Sequence, residues 1–160
     1  MRARLGAIVA AVLLLALLPS SAGAAGAAST YHGTWQSATF DCVEGVPLPQ
    51  EMDLLGNWNV TVRPNGDGVV HISMFGVDQG FVFRIDSWGG RAYGADFWST
   101  SGGGSVVTLT RTDPLDPGAT DTFVVDTAAQ TVTFTIAPYF LGACASATSY
   151  GTVDVMTPGH

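Results

Sequence analysis

The fold class is decided by the stretch Trp58-Asn59-Val60-Thr61-Val62-Arg63-Pro64-Asn65-Gly66-Asp67-Gly68-Val69-Val70-His71-Ile72-Ser73-Met74. Large apolar side chains take alternate positions on both sides of a central turn signal, residues 64–68. Such alternation is typical of strands that bury one face, and a Gly- and Asn-rich turn between two of them predicts a β-hairpin.

The same period of two continues along most of the chain, for example through Phe81, Phe83 and Ile85. With a first strand at 31–40, the pattern predicts about eight or nine strands and almost no helix. Short connections require antiparallel neighbours. We therefore expect an all-β fold, a single antiparallel up-and-down meander. A barrel is favoured over a β-sandwich because closure removes exposed strand edges.

Turns and loops separate the predicted strands. A Gly-containing segment, 76–80, is expected to turn the chain after the central hairpin. Two longer irregular segments, 44–53 and 113–121, contain several prolines and are predicted to be loops.

The first 27 residues have the layout of a secretory signal peptide. Arg2 and Arg4 provide a positive start, residues 5–18 are uncharged and apolar, and Pro19 is followed by small residues. The apolar run is shorter than the roughly 20 residues of a membrane-spanning helix. We therefore expect cleavage after Ala27 and a single secreted β domain, residues 28–160, that has no membrane span.

The secreted part is strongly acidic. The chain has 6 Lys and Arg against 13 Asp and Glu, and removal of Arg2 and Arg4 changes its formal net charge from −7 to −9. This charge repels nucleic-acid phosphates and anionic lipid surfaces. The composition therefore argues against nucleic-acid partners, and we expect a monomer.

Cys42 and Cys144 are the 2 cysteines of the chain. In an exported protein such a pair usually forms a disulfide. The bond would close a loop of roughly 100 residues, which is worth about 4–5 kcal/mol on the chain-entropy model. Two free thiols are the alternative, and the wide spacing supports no metal or redox motif.

The segment Tyr31-His32-Gly33-Thr34-Trp35 places a Gly-x-Trp motif on the first predicted strand. Together with the meander, this motif resembles the lipocalin and calycin family of β-barrels. The resemblance implies that Trp35 closes the barrel floor and that Gly33 lets the backbone bend. The family's later Thr-Asp-Tyr motif is here Thr120-Asp121-Thr122, and the family's Arg over the Trp has no counterpart in the last strands. Arg111 would have to reach Trp35 from a different position.

The resemblance also implies an apolar ligand pocket inside the barrel, open at one end. Inward positions of the alternating strands would line this pocket, namely Trp58, Ile72, Met74, Phe81, Phe83, Phe97 and Phe134. The alternative is that these side chains fill the interior, because a small barrel has little room.

The remaining polar residues indicate no defined active site. His71 is expected on the solvated face of its strand, and nothing identifies a ligand set around His32. Asp113, Asp116 and Asp121 crowd one loop, and oxygen-rich loops can hold calcium, but their spacing matches no calcium-loop pattern. A Gly-x-Ser-x-Gly motif is absent. The sequence therefore predicts no catalytic residue, metal or cofactor, and a protein that is not an enzyme.

Aromatic residues add one further class of function. Tyr31, Trp88 and Trp98 fall on nominally solvated strand faces, where they could stack on sugars or anchor a partner protein, unless their strands are buried on both faces. We therefore expect a secreted, non-enzymatic binding module for a small apolar ligand. The alternative is an extracellular protein- or cell-wall-interaction module, such as an enzyme inhibitor, that has a filled core and meets its partner through 44–53 and 113–121.

Overall fold

The structure, a computed structural model, describes residues 28–86, 98–113, 116–140 and 142–154. These residues form ten strands: β1 (Ser29–Cys42), β2 (Glu51–Asp53), β3 (Leu55–Val62), β4 (Asp67–Asp78), β5 (Phe81–Asp86), β6 (Trp98–Gly103), β7 (Val106–Thr112), β8 (Thr120–Asp126), β9 (Thr131–Ala137) and β10 (Cys144–Val153). All their pairings are antiparallel, and most neighbours in the sheet are neighbours in sequence. The predicted all-β meander is confirmed.

Eight strands close into an uneven, barrel-like ring in the order β1-β3-β4-β6-β7-β8-β9-β10 and back to β1. The closing pair, β1 and β10, runs from Gly33 opposite Val153 to Cys42 opposite Cys144. The join between β4 and β6 is much shorter, since only residues 67–68 of β4 pair with β6. The ring is therefore closed by a long ladder between β1 and β10, and it is least paired between β4 and β6.

The other two strands, β2 and β5, lie beside the ring. β2 and β3 together run along β1 as one bent strand. Ser37 of β1 pairs with Asp53, and Thr34 of β1 pairs with Asn57. Between these two pairs, β1 has two residues and its partner has three. This extra residue is a β-bulge, which bends a strand and interrupts its ladder. The end of the predicted loop 44–53 is thus strand, and the predicted loop 113–121 ends where β8 begins at Thr120.

The turn predicted at 76–80 is shorter than expected. β4 continues to Asp78, and only Gln79 and Gly80 leave the strands, with φ angles of 47° and 84°. Two residues of positive φ make the tight hairpin loop that suits the twist of paired strands. Consequently Phe75 and Val77 lie on a strand, where alternation directs their side chains away from the core.

The core lies on the inner face of the ring. Burial alternates along β4, β8 and β9, as the period of two predicted. The prediction that Trp98 lies on the solvated face is wrong, because its side chain is 0% exposed. Tyr31 is half-buried and packs against the core.

Several predictions fall outside the described residues. They are the signal peptide at 1–27, the expectation that Phe97 lines the interior, and the expectation that Trp88 lies on a solvated face.

Candidate functional site

The predicted lining residues within the described part of the chain all belong to or contact the core. Trp58, Ile72, Met74, Phe83 and Phe134 are buried. Phe81 is half-buried and packs against the core. Their side chains therefore point into the core, as the alternation of apolar residues predicted.

These inward side chains pack on one another through aromatic contacts. Phe123 of β8 lies at the centre, with ring centroids 6.0 Å from Trp35, 5.5 Å from Trp58, 6.4 Å from Trp98 and 6.1 Å from Phe134. Edge-on arrangements at such distances are favourable beyond the area that they bury. Aromatic rings thus occupy this part of the interior.

A second aromatic group lies toward the disulfide end of the ring. The Phe40 ring is 5.4 Å from Phe83 and 6.0 Å from Phe81, and Tyr139 is 5.9 Å from Phe40. The sequence-based set omitted Phe40, Phe123 and Trp98. The alternation of Phe123 with Val125 could have predicted that Phe123 points into the core.

Gly33 and Trp35 lie at a close contact between strands. A Cβ atom on Gly33 would lie 1.8 Å from the backbone oxygen of Thr152, so no larger residue fits there. The Trp35 side chain is buried, and its Nε1 donates a hydrogen bond to the Asn57 carbonyl oxygen at 3.2 Å. This Gly-x-Trp segment therefore fixes the position of β1 between β3 and β10.

Arg111 contacts a different tryptophan from the one that the resemblance implies. Its guanidinium carbon lies 4.5 Å from the ring centre of Trp98, a cation–π arrangement. Its Nε donates a hydrogen bond to Oδ2 of Asp121 at 2.9 Å, and the two residues lie directly opposite each other on β7 and β8. The sequence alone gave no sign of this pair, because the strand register brings it together.

The Asp121 carboxyl is fully buried, and burial raises its pKa to about 7 from an ordinary value of 3.8. The hydrogen bond from Arg111 opposes this shift, whereas the neighbouring carboxyl of Asp113 adds to it. Asp113 is itself buried. Two carboxyls with one guanidinium in low dielectric favour retention of a proton.

This arrangement makes the stability of the folded chain depend on pH. Because the pKa of Asp121 is higher in the folded state, the folded chain binds more protons between about pH 4 and pH 7. We expect the free energy of unfolding to fall as pH rises through this window, at up to about 1.4 kcal/mol per pH unit. Urea unfolding of the disulfide-bonded chain at pH 4, 5.5, 7 and 8 measures the effect.

Two variants assign this pH dependence to its residue. In Asp121→Asn the slope between pH 4 and 7 should disappear, whereas Glu51→Gln, which changes an exposed carboxyl, should retain it. A slope that survives in Asp121→Asn would refute the assignment.

The structure does not gather the histidine and acidic-loop candidates into one site, although the carboxyls of Asp113 and Asp121 are neighbours. His32 Nε2 lies 3.8 Å from Asp154 Oδ2 near the surface, and His71 is half-buried on β4. Asp113 Oδ1 accepts a hydrogen bond from the Asp116 amide, while Asp121 pairs with Arg111. Within the described ranges, no three His, Cys, Asp or Glu side chains are grouped so that they could hold a metal ion.

The predicted disulfide is confirmed. Cys42 and Cys144 are bonded, with an S–S distance of 2.06 Å, at the end of the β1–β10 pair. Such a bond is typical of an oxidising, extracellular-type environment. Among the described residues, no helix has the length and apolar character of a membrane span.

A surface patch on the outer face of β3, β4 and β5 was not predicted as a unit. It consists of Leu55, Phe75, Val77 and Val82, which are 73%, 44%, 55% and 57% exposed. Leu55 pairs with Phe75 across β3 and β4, and Val77 pairs with Val82 across β4 and β5. The four side chains therefore form one continuous patch, here called the apolar patch.

Elsewhere the outer face is largely hydroxylated. One cross-strand row runs through Ser99, Thr110, Thr122, Thr135, Thr148 and Thr39. Threonine combines high strand propensity with a polar group for solvent. Large apolar side chains on an otherwise polar outer face mark a place where another molecule can bind.

Comparisons with protein family models, with curated proteins and with solved structures found no match for this chain.

Proposed function

We propose that this chain is a secreted, non-enzymatic interaction module that binds another protein through the apolar patch. The observation that carries the proposal is the cross-strand continuity of Leu55, Phe75, Val77 and Val82 on a solvent-exposed sheet face. Exposed apolar side chains lose hydration when a partner covers them, which favours association.

The packing of the interior supports this function over transport of a small apolar ligand. A pocket for such a ligand typically measures several hundred Å³. Here Phe123 contacts Trp58, Trp98 and Phe134 across the space that a ligand would occupy. We infer that the interior stabilises the ring, which then presents its outer face.

Secretion belongs to the same proposal. The disulfide Cys42–Cys144 and the signal-like residues 1–27 both suit an oxidising exterior. A secreted chain that meets its partner outside the cell needs a scaffold that resists unfolding there, and the disulfide helps to provide one.

A lipocalin-like carrier of a small apolar molecule is the second candidate function. It is favoured by the Gly-x-Trp motif on β1, in which Gly33 lies at a close strand contact and Trp35 is buried. A saturable, stoichiometric increase in the fluorescence of a fatty-acid probe would support this carrier, provided that the increase persists when the apolar patch is mutated.

Site-specific photo-crosslinking tests the proposed function. A photoreactive amino acid at Val82 should give discrete protein adducts in the culture medium of the natural producer, because Val82 lies within the apolar patch. The same amino acid at Thr133, on the outer face of β9, should give none. The Val82 adducts should also disappear in Leu55→Ser, which removes an apolar contact at the other end of the patch.

Equal adducts at Val82 and Thr133 would contradict a specific surface. Adducts at Val82 that persist unchanged in Leu55→Ser would contradict the continuity of the patch.

A further inference from the structure

Two exposed carboxylates lie beside the apolar patch, on β2. Glu51 and Asp53 are exposed on β2, and Asp53 lies two residues before Leu55, so both point to the side of the strand that carries the patch. Arg84 of β5 pairs with Phe75 and is the one arginine among β2, β3, β4 and β5. The patch is therefore bordered by acidic side chains along β2, while the exposed Arg84 places one cation on its β5 side.

We propose that the partner bound by the apolar patch is a basic protein segment, in which Lys or Arg side chains flank an apolar row. This inference rests on the proposed function and names the chemistry of the partner. Apolar side chains of the segment would cover Leu55, Phe75 and Val82, while its cations would face Glu51 and Asp53. Complementary charges at the rim of an interface guide association and select among partners.

The same charges argue against other occupants. In a two-fold dimer through the patch, the Glu51 and Asp53 carboxylates of both copies would border one interface, on chains that each have a formal charge of −7 before any cleavage. An isologous interface brings like surfaces together, so this arrangement concentrates negative charge. An anionic lipid surface would be repelled for the same reason.

Two synthetic peptides test the inference with the disulfide-bonded chain. Each has ten residues, in which Val alternates with Lys in one peptide and with Ser in the other. Backbone amide NMR shifts are followed during titration at low and high NaCl. We expect the Val/Lys peptide to shift the amide signals of Leu55, Phe75, Val77 and Val82. It should bind several-fold more tightly than the Val/Ser peptide, which is the size of effect that two exposed ion pairs can give. High NaCl should reduce this difference in affinity because salt screens exposed charges.

Matched variants separate charge from apolar contact. In Glu51→Gln/Asp53→Asn, the Val/Lys peptide should fall to the affinity of the Val/Ser peptide, whose own affinity should not change. The control Asp126→Asn/Asp154→Asn removes two carboxylates outside the patch and should preserve the difference.

Each contrary result has a distinct meaning. If Val/Lys and Val/Ser peptides bind the patch equally, the inference about charge is overturned while the proposed function stands. If no peptide shifts the patch amides, the patch does not bind apolar protein segments, and both proposals fail.

Discussion

Replacement of both cysteines, Cys42→Ala/Cys144→Ala, should lower the free energy of unfolding by about 4–5 kcal/mol. The two residues are 102 positions apart, so the disulfide strongly restricts the unfolded chain. The bond also joins the ends of β1 and β10, the pair that closes the ring. Urea unfolding followed by tryptophan fluorescence measures the loss.

Reduction of the unmutated chain provides the matched control. It breaks the same bond without removing either side chain, and it should reproduce most of the loss. If the double variant lost less than about 1 kcal/mol, the disulfide would not be a main support of the ring.

The second large effect is expected from Phe123→Ala, which should cost about 3–5 kcal/mol, as Phe-to-Ala changes do in well-packed cores. The Phe123 side chain is fully buried and contacts three tryptophans, Trp35, Trp58 and Trp98. Removal of its ring takes away contacts with each of them and leaves a cavity. Unfolding in urea at pH 5.5 gives the difference from the unmutated chain.

Phe75→Ala is the matched control for this variant. It removes the same ring from the apolar patch, where the side chain is 44% exposed, and it should cost less than about 1 kcal/mol. Comparable losses in the two variants would mean that Phe123 does not hold the core together.

Much of the fold could be predicted because the alternation is strong and the turns are short. Val82 and Phe83 show this clearly: the sequence placed Phe83 inward and Val82 outward, and the structure has the first buried and the second exposed. The pattern failed at Trp98, whose neighbours include Gly94 and Asp96 at the same parity. These small and charged neighbours led to the prediction that Trp98 lies on the solvated face, whereas its large side chain packs inside the ring of strands.

The candidate site was harder to predict because its residues are distant in sequence. Leu55 and Phe75 meet only through the register of β3 and β4, and Asp121 meets Arg111 through that of β7 and β8. The expected turn at 76–80 also hid the strand positions of Phe75 and Val77. A one-dimensional pattern gives the face of each residue but not its cross-strand neighbour.

The most direct test of the account is the native mass of the chain recovered from the culture medium of its natural producer. We predict a mature chain that lacks the signal residues, is two hydrogens lighter because of its disulfide, carries no small-molecule adduct, and is partly bound to a second protein. The bound fraction should disappear in Leu55→Ser/Val82→Thr while the mature chain is still recovered. Two results together would contradict the account: the unmutated chain is bound to no second protein, and an apolar small molecule is bound stoichiometrically to the chain and remains bound in the variant.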